Sequence, residues 1–193
     1  LRFGKAFDRC WPYYDDPIPL LDKKSANNVE HMRRFYRYMH EHRGMEIEKF
    51  RVGATNQIAL LRAPGSYRDF SVRNICANGR IAAPDGRIID LYEKRKQEKP
   101  AALNENGMSL GMIVTYGDFR LYTAGDFSDT VKHADGTSIV TEEAMADVCG
   151  TVNVAKVNHH GHYSMPEKLV GALQAQVYVS CVWDQLHNVA PVM

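Results

Sequence analysis

The sequence lacks any run of apolar residues long enough to cross a bilayer. It also lacks an excess of either charge: 24 basic residues face 23 acidic ones. That balance removes any need for a polyanionic partner or an anionic membrane surface. Cysteine is sparse. Cys10, Cys76, Cys149 and Cys181 stand far apart with no CxxC pair, which excludes a zinc finger and a disulfide-dense scaffold. They read as buried thiols acting as small hydrophobes. No repeat, low-complexity tract or signal-peptide pattern occurs. The chain opens at Leu1 rather than at Met and ends at Met193, and is read as a piece of a longer protein. Its localisation, cytoplasmic or secreted, is left open.

What is present is ordinary for a globular chain: 45% hydrophobic residues within 193 positions, enough for one sizeable core or part of a larger domain. Residues 1–46 form the first segment, an aromatic and Pro-rich lead-in followed by an amphipathic helix. Asn28 is expected to cap that helix over 29–43. Val29, Met32, Phe35, Tyr36 and Met39 lie on its apolar face, and Gly44 stops it. Arg33, Arg34 and Arg37 line the opposite face, read as solvated surface in preference to a phosphate-binding face.

Residues 47–193 form the second segment. Short strands are expected at 49–52, 57–61, 70–75, 80–82 and 87–90, with turns at Asn78-Gly79 and Asp85-Gly86. A charged loop over 92–105 follows. Apolar strands at 108–115 and 119–123 flank the turn Tyr116-Gly117-Asp118. A helix is expected from Thr141, with Glu142 and Glu143 placed to suit its dipole. A strand at 153–157 precedes a second helix opened by Ser164 and Glu167 as a capping box, and a last strand lies at 176–180. Strands alternating with helices predict an α/β layer arrangement.

Two expected strands end in residues that bind metals. Gly125-Asp126 follows one, and His159-His160-Gly161 follows the other. A carboxylate and an imidazole at neighbouring strand ends can share one ion, and zinc accepts both. The ordered set Asn106-Gly107-Met108-Ser109-Leu110, Gly125-Asp126 and His159-His160-Gly161 resembles the distal part of the metallo-β-lactamase superfamily. The likeness is to its branch of competence-related DNA-uptake hydrolases and phosphorylcholine esterases, and it spans residues 104–181.

The resemblance implies the C-terminal half of a four-layer αββα fold, a mixed sheet with helices on its outer face. It implies a metal-dependent hydrolase in which metal-activated water attacks an ester, foremost a phosphodiester. Asp126 would bridge two metals and His160 would bind one. His159 would touch substrate or donate a proton to the leaving group, Asn106 would orient, and His162 and Tyr163 would line the pocket mouth. Zinc is the expected metal, two ions in the full-length protein, with manganese or iron as alternatives. His187, near Trp183, is a weaker pocket candidate.

The family's His-x-His-x-Asp-His signature is missing. His40-Glu41-His42 comes nearest, but Gly44 and Met45 replace the Asp and His. The expectation is therefore an incomplete metal site, with the first half of the domain missing from this chain. A chain in this state would bind zinc weakly or not at all. Its open sheet face would take the missing half or a homodimer mate as partner. The substrate would be a small molecule or a phosphodiester, and nucleic acid has little support. The alternative function is a non-catalytic interaction module that keeps the fold.

Overall fold

The computed structural model describes residues 4–16, 23–98 and 104–182, with side chains in the long helix described from Val29 onward. In chain order the elements are β1 (Lys5–Asp8), α1 (Lys23–Arg43), β2 (Glu46–Lys49), β3 (Phe70–Ala77), β4 (Arg80–Ala82), β5 (Ile88–Asp90), β6 (Gly111–Tyr116), β7 (Phe119–Thr123), β8 (Thr130–Lys132), β9 (Ser138–Val140), α2 (Thr141–Cys149), β10 (Val154–Lys156), α3 (Glu167–Leu173) and β11 (Val177–Val179). Seven strands form one mixed sheet in the order β11-β10-β7-β6-β3-β4-β5. The β7, β10 and β11 strands run parallel, and the remaining neighbours pair antiparallel. The fold is α/β, and no described helix is long and apolar enough to cross a membrane.

The pairing registers sort the side chains onto two faces, because strand residues alternate and paired residues share a side. Ile113, Tyr122 and Ala155 lie in one row. They are buried with Met145 of α2 and with Leu169 and Leu173 of α3. Full burial of side chains this size contributes about 1.5–3 kcal/mol each, so this face anchors the domain. The opposite face carries the row Val177, Val154, Leu121, Val114 and Val72. At its margin Val177, Val179, Tyr116 and Phe119 are about half exposed.

Several sequence expectations shift. Helix α1 begins at Lys23, so Asn28 lies inside it and is no cap. Helix α3 begins at Glu167 after Pro166, and the Ser164 hydroxyl donates to the Asn158 carbonyl at 2.6 Å in place of forming a capping box. The stretch 57–61 is loop, because the Gln57 side chain is spent bridging Arg51 N, the Lys49 carbonyl and Asn74. The strand expected at 49–52 ends at Lys49. The hairpin of β8 and β9 and the parallel pairing of β1 with β2 are additional. The segment boundary expected at 46/47 falls within β2.

The lead-in is bound to the sheet by charge. Arg9 makes a bidentate contact to Glu105, at 2.6 and 3.1 Å, and reaches Asn78 Oδ1 at 3.2 Å. Asp16 accepts from Arg80 at 2.7 Å and Lys49 at 2.9 Å. Burial alone would raise the Asp16 pKa, but these two cations outweigh it and bring it down to about 2.

The turn between β3 and β4 shows how tightly this region is built. Asn78 and Gly79 both have positive φ, 55° and 67°. A Cβ on Gly79 would stand 1.9 Å from the ring of Tyr92, which is fully buried. Gly79→Ala therefore combines left-handed strain with a collision, and a loss of roughly 2–4 kcal/mol is expected. A urea-denaturation midpoint unchanged from the parent protein would refute this account.

Candidate functional site

Parallel pairing of β7 with β10 aligns the C-terminal ends of the two strands. At the end of β7, Gly125 takes φ 58°, a conformation that glycine adopts without penalty. Its carbonyl accepts from His159 N at 3.3 Å and from Lys156 Nζ at 2.7 Å. Lys156 also donates to the Val157 carbonyl at 2.9 Å. The two strand ends are thus stitched together through one carbonyl.

Asp126 and His160 meet at this junction. His160 Nε2 lies 3.5 Å from Asp126 Oδ2, with both side chains about one-third exposed. The other ring nitrogen of His160, Nδ1, hydrogen-bonds the Cys181 carbonyl. A carbonyl only accepts, so Nδ1 carries a proton, and Nε2 is the ring nitrogen that faces Asp126. Lys156 Nζ stands 4.0 Å from Asp126 Oδ1 and offsets its charge.

His159 occupies a neighbouring position. Asn106 Nδ2 donates to His159 Nε2 at 3.2 Å, and His159 Nδ1 pairs with Ser128 Oγ at 2.9 Å. Both ring nitrogens are engaged, and Asn106 orients this ring. Burial lowers the His159 pKa, opposed by the Asp126 carboxylate. The shift favours the uncharged imidazole, whose Nε2 accepts from Asn106. His162 meets the His159 ring edge-on with centroids 5.8 Å apart. Tyr163 packs edge-on against His162 at 4.4 Å and is otherwise almost fully exposed. His187 and Trp183 lie outside the described residues.

The histidine loop is strained. His159, His160, Tyr163 and Met165 have φ of 44°, 60°, 47° and 60°. Such residues cost on the order of 1–3 kcal/mol each and need their surroundings to impose them. Buried side chains beneath the loop do so. Asn158 donates to the Tyr122 hydroxyl at 3.0 Å and to Glu142 Oε1 at 2.8 Å. Met165 N donates to the same Glu142 oxygen at 3.0 Å. Glu142 was read from sequence only as a helix-dipole charge. Its true position, underneath the loop, follows from helix α2 packing on the sheet, which no local pattern announces. Thr141, at the start of that helix, accepts from Asp129 N at 3.0 Å and so fixes the loop beyond Asp126.

Beside Asn106 and Asp126 opens a cavity of about 470 Å³. The lead-in and α1 contribute Phe7, Tyr14, Val29, Met32 and Tyr36 to its lining, and Leu110 adds to it. Sequence reading placed no functional residue in the lead-in, because the approach of α1 to this edge is a tertiary effect. Arg33 and Arg34 on the opposite side of α1 pair with Glu30.

Among the described residues, no group of three or more His, Cys, Asp or Glu side chains gathers to hold a metal ion. Asp126 and His160 form a pair. Two ligands each about 2.1 Å from a tetrahedral ion stand about 3.4 Å apart, so the 3.5 Å between these two atoms fits shared coordination. The proton of His160 Nδ1 on a backbone carbonyl also matches the support that metal-binding histidines receive.

The buried Glu142 carboxyl carries a pH signature. Burial raises its pKa to about 7, against the hydrogen bonds from Met165 N and Asn158. The folded state then holds a proton that the unfolded chain releases near its ordinary value of 4.5. Stability is expected to fall by about 3 kcal/mol as pH rises from 4.5 through 7, and to level off above. Glu142→Gln should flatten that slope in urea titrations across this range. A slope identical to the parent would remove Glu142 as its source.

No protein-family model matches the chain, and no curated protein matches it. The functional reading therefore rests on the geometry of the Asp126–His160 junction.

Proposed function

We propose that this chain is the C-terminal half of a metallo-β-lactamase-like, metal-dependent hydrolase that cleaves an ester, foremost a phosphodiester. The observation that carries the reading is the 3.5 Å approach of Asp126 Oδ2 to His160 Nε2 at the ends of two adjacent parallel strands. Asp126 and His160 would hold a divalent ion, with zinc suited to a carboxylate–imidazole pair and manganese or iron also compatible. Such an ion lowers the pKa of water toward about 7 and so supplies a nucleophile at neutral pH.

The remaining chemistry belongs to the chain itself. His159, oriented by Asn106 and Ser128, would touch the substrate or donate a proton to the leaving oxygen. Lys156 balances the Asp126 charge and holds the Gly125 carbonyl. His162 and Tyr163 sit at the mouth, where the exposure of Tyr163 allows contact with incoming substrate.

The sheet supports the finer fold assignment. Both described helices that pack on it lie on one face, and the other face is an apolar row with half-exposed margins. In a four-layer αββα arrangement that face is covered by the first half of the domain, which would also bring the remaining ligands and the second ion. Without it, a second copy of the chain is the natural cover. Apolar area of this kind normally finds a mate, so light scattering at roughly 50 µM should give a mass above that of a monomer. A strict monomer would count against the open-face reading.

Two ligands are too few for a tight site. Zinc is expected to bind this chain weakly, with a Kd of about 10 µM or above, and chelator should remove it. Asp126→Ala and His160→Ala should each abolish that binding while leaving the circular dichroism spectrum intact. Turnover of a phosphodiester by a protein holding the whole site should vanish with Asp126→Ala. If zinc bound both variants as it binds the parent, the junction would be an ordinary ion pair, and the non-catalytic module would be the better reading.

A further inference from the structure

The cavity beside Asn106 and Asp126 has a composition that restricts what can enter it. At about 470 Å³ it is the size of a small-molecule site. Its lining includes the polar side chains of Asn106 and Asp126 and the apolar surface of Phe7, Tyr14, Val29, Met32, Tyr36 and Leu110. Burial pushes the Tyr14 and Tyr36 phenols above their ordinary pKa, so both are uncharged.

The charges lining the cavity decide against a polyanion. Three carboxylates, Asp8, Glu105 and Asp126, face one cation, Arg9. Arg9 is consumed: it grips Glu105 through two bonds, at 2.6 and 3.1 Å, and reaches the Asp16 carbonyl and Asn78 with its third nitrogen. Its guanidinium also lies 5.7 Å from the Tyr14 ring and helps to place that wall. Asp8 accepts from the backbone N–H of Cys10 and Trp11, which fixes its side chain next to the cavity. A nucleic-acid strand would bring its phosphates against these acids, with no open cation among the described residues that line the cavity to receive them. Lys156 stands by Asp126 but does not line the cavity.

We infer that this cavity takes the uncharged aromatic or branched aliphatic arm of a small ester, with the scissile bond beside Asn106 and Asp126. The inference rests on the hydrolase reading for the word ester, and on the cavity alone for the apolar arm. Burying an apolar arm against this wall contributes roughly 25 cal/mol for each Å² removed from water. That binding energy fixes the ester beside the junction and makes the arm the specificity element.

The test uses the whole chain without added metal. 1-Naphthol serves as the uncharged aromatic probe and a thymidine oligonucleotide as the polyanion, both titrated calorimetrically. Naphthol should bind with a Kd of about 1 mM or below, and the oligonucleotide should not bind. Met32→Trp fills the cavity from a half-exposed helix position that tolerates a larger side chain. It should weaken naphthol about tenfold, with an unchanged circular dichroism spectrum. Val29→Trp, from the same wall, provides a second variant should the first disturb α1. Naphthol affinity equal in parent and both variants, no naphthol binding, or oligonucleotide binding blocked by Met32→Trp would each overturn the inference. Zinc titration runs alongside and is expected to be the same in parent and Met32→Trp. Zinc binding unchanged in Asp126→Ala and His160→Ala, with naphthol binding retained, would sink the hydrolase reading and leave the cavity's preference standing. The reverse pattern would sink the cavity alone.

Discussion

Parallel pairing of β7 with β10 is the constraint on which the site depends. An antiparallel neighbour would send one of the two strand ends to the far edge of the sheet. The parallel arrangement needs a crossover, which the β8–β9 hairpin and α2 provide. Once both ends emerge at the same edge, one carbonyl suffices to lock them. Gly125 supplies it, and the backbone of His159 and the side chain of Lys156 both bind it. The closeness of Asp126 and His160 is therefore a consequence of sheet topology, with side-chain packing adding only the final orientation.

The crossover has a second use. Helix α2 covers the sheet with Met145 and Cys149 and at the same time carries Glu142 beneath the histidine loop. A loop with four non-glycine residues at positive φ would not hold its shape in solvent. Here its Asn158 is fully buried, bonded to Tyr122 of β7 and to Glu142, while Met165 closes the far end onto the same carboxylate. Strain in the loop is offset by burial below it, so the presentation of His159 and His160 is a property of the core.

Legibility in the sequence followed the range of the forces involved. The β7 strand, the start of α2 at Thr141 and the turns at Asn78-Gly79 and Gly117 were readable because alternation, charge in a first turn and glycine at positive φ are local signals. The meeting of Asp126 with His160 was legible because each follows a strand, and Asn106 lies beside His159, at 3.2 Å. Ser164 misled because its hydroxyl had a stronger claim in the Asn158 carbonyl. Gln57 misled for the same reason: an apolar stretch reads as a strand until a buried amide takes the backbone partners a strand would need. Lys156 and Glu142 were invisible as site residues because a lysine in a strand and a glutamate in a helix look like solvated charges until tertiary packing buries them.

The lead-in shows how an irregular segment can matter more than its sequence suggests. Arg9 is buried and spans from the first strand to Glu105, the residue next to Asn106. Asp16 is drawn onto Arg80 and Lys49. These contacts bring β1 and the wall of α1 against the edge where the strand ends emerge. Trp11 steadies Tyr36 edge-on, with centroids 6.3 Å apart. Remove the Arg9–Glu105 pair and two things loosen together: the apolar wall of the cavity and the short helical turn that aims Asn106 at His159. The polar strand-end junction and the apolar lining of the cavity beside it are thus coupled through a single buried guanidinium.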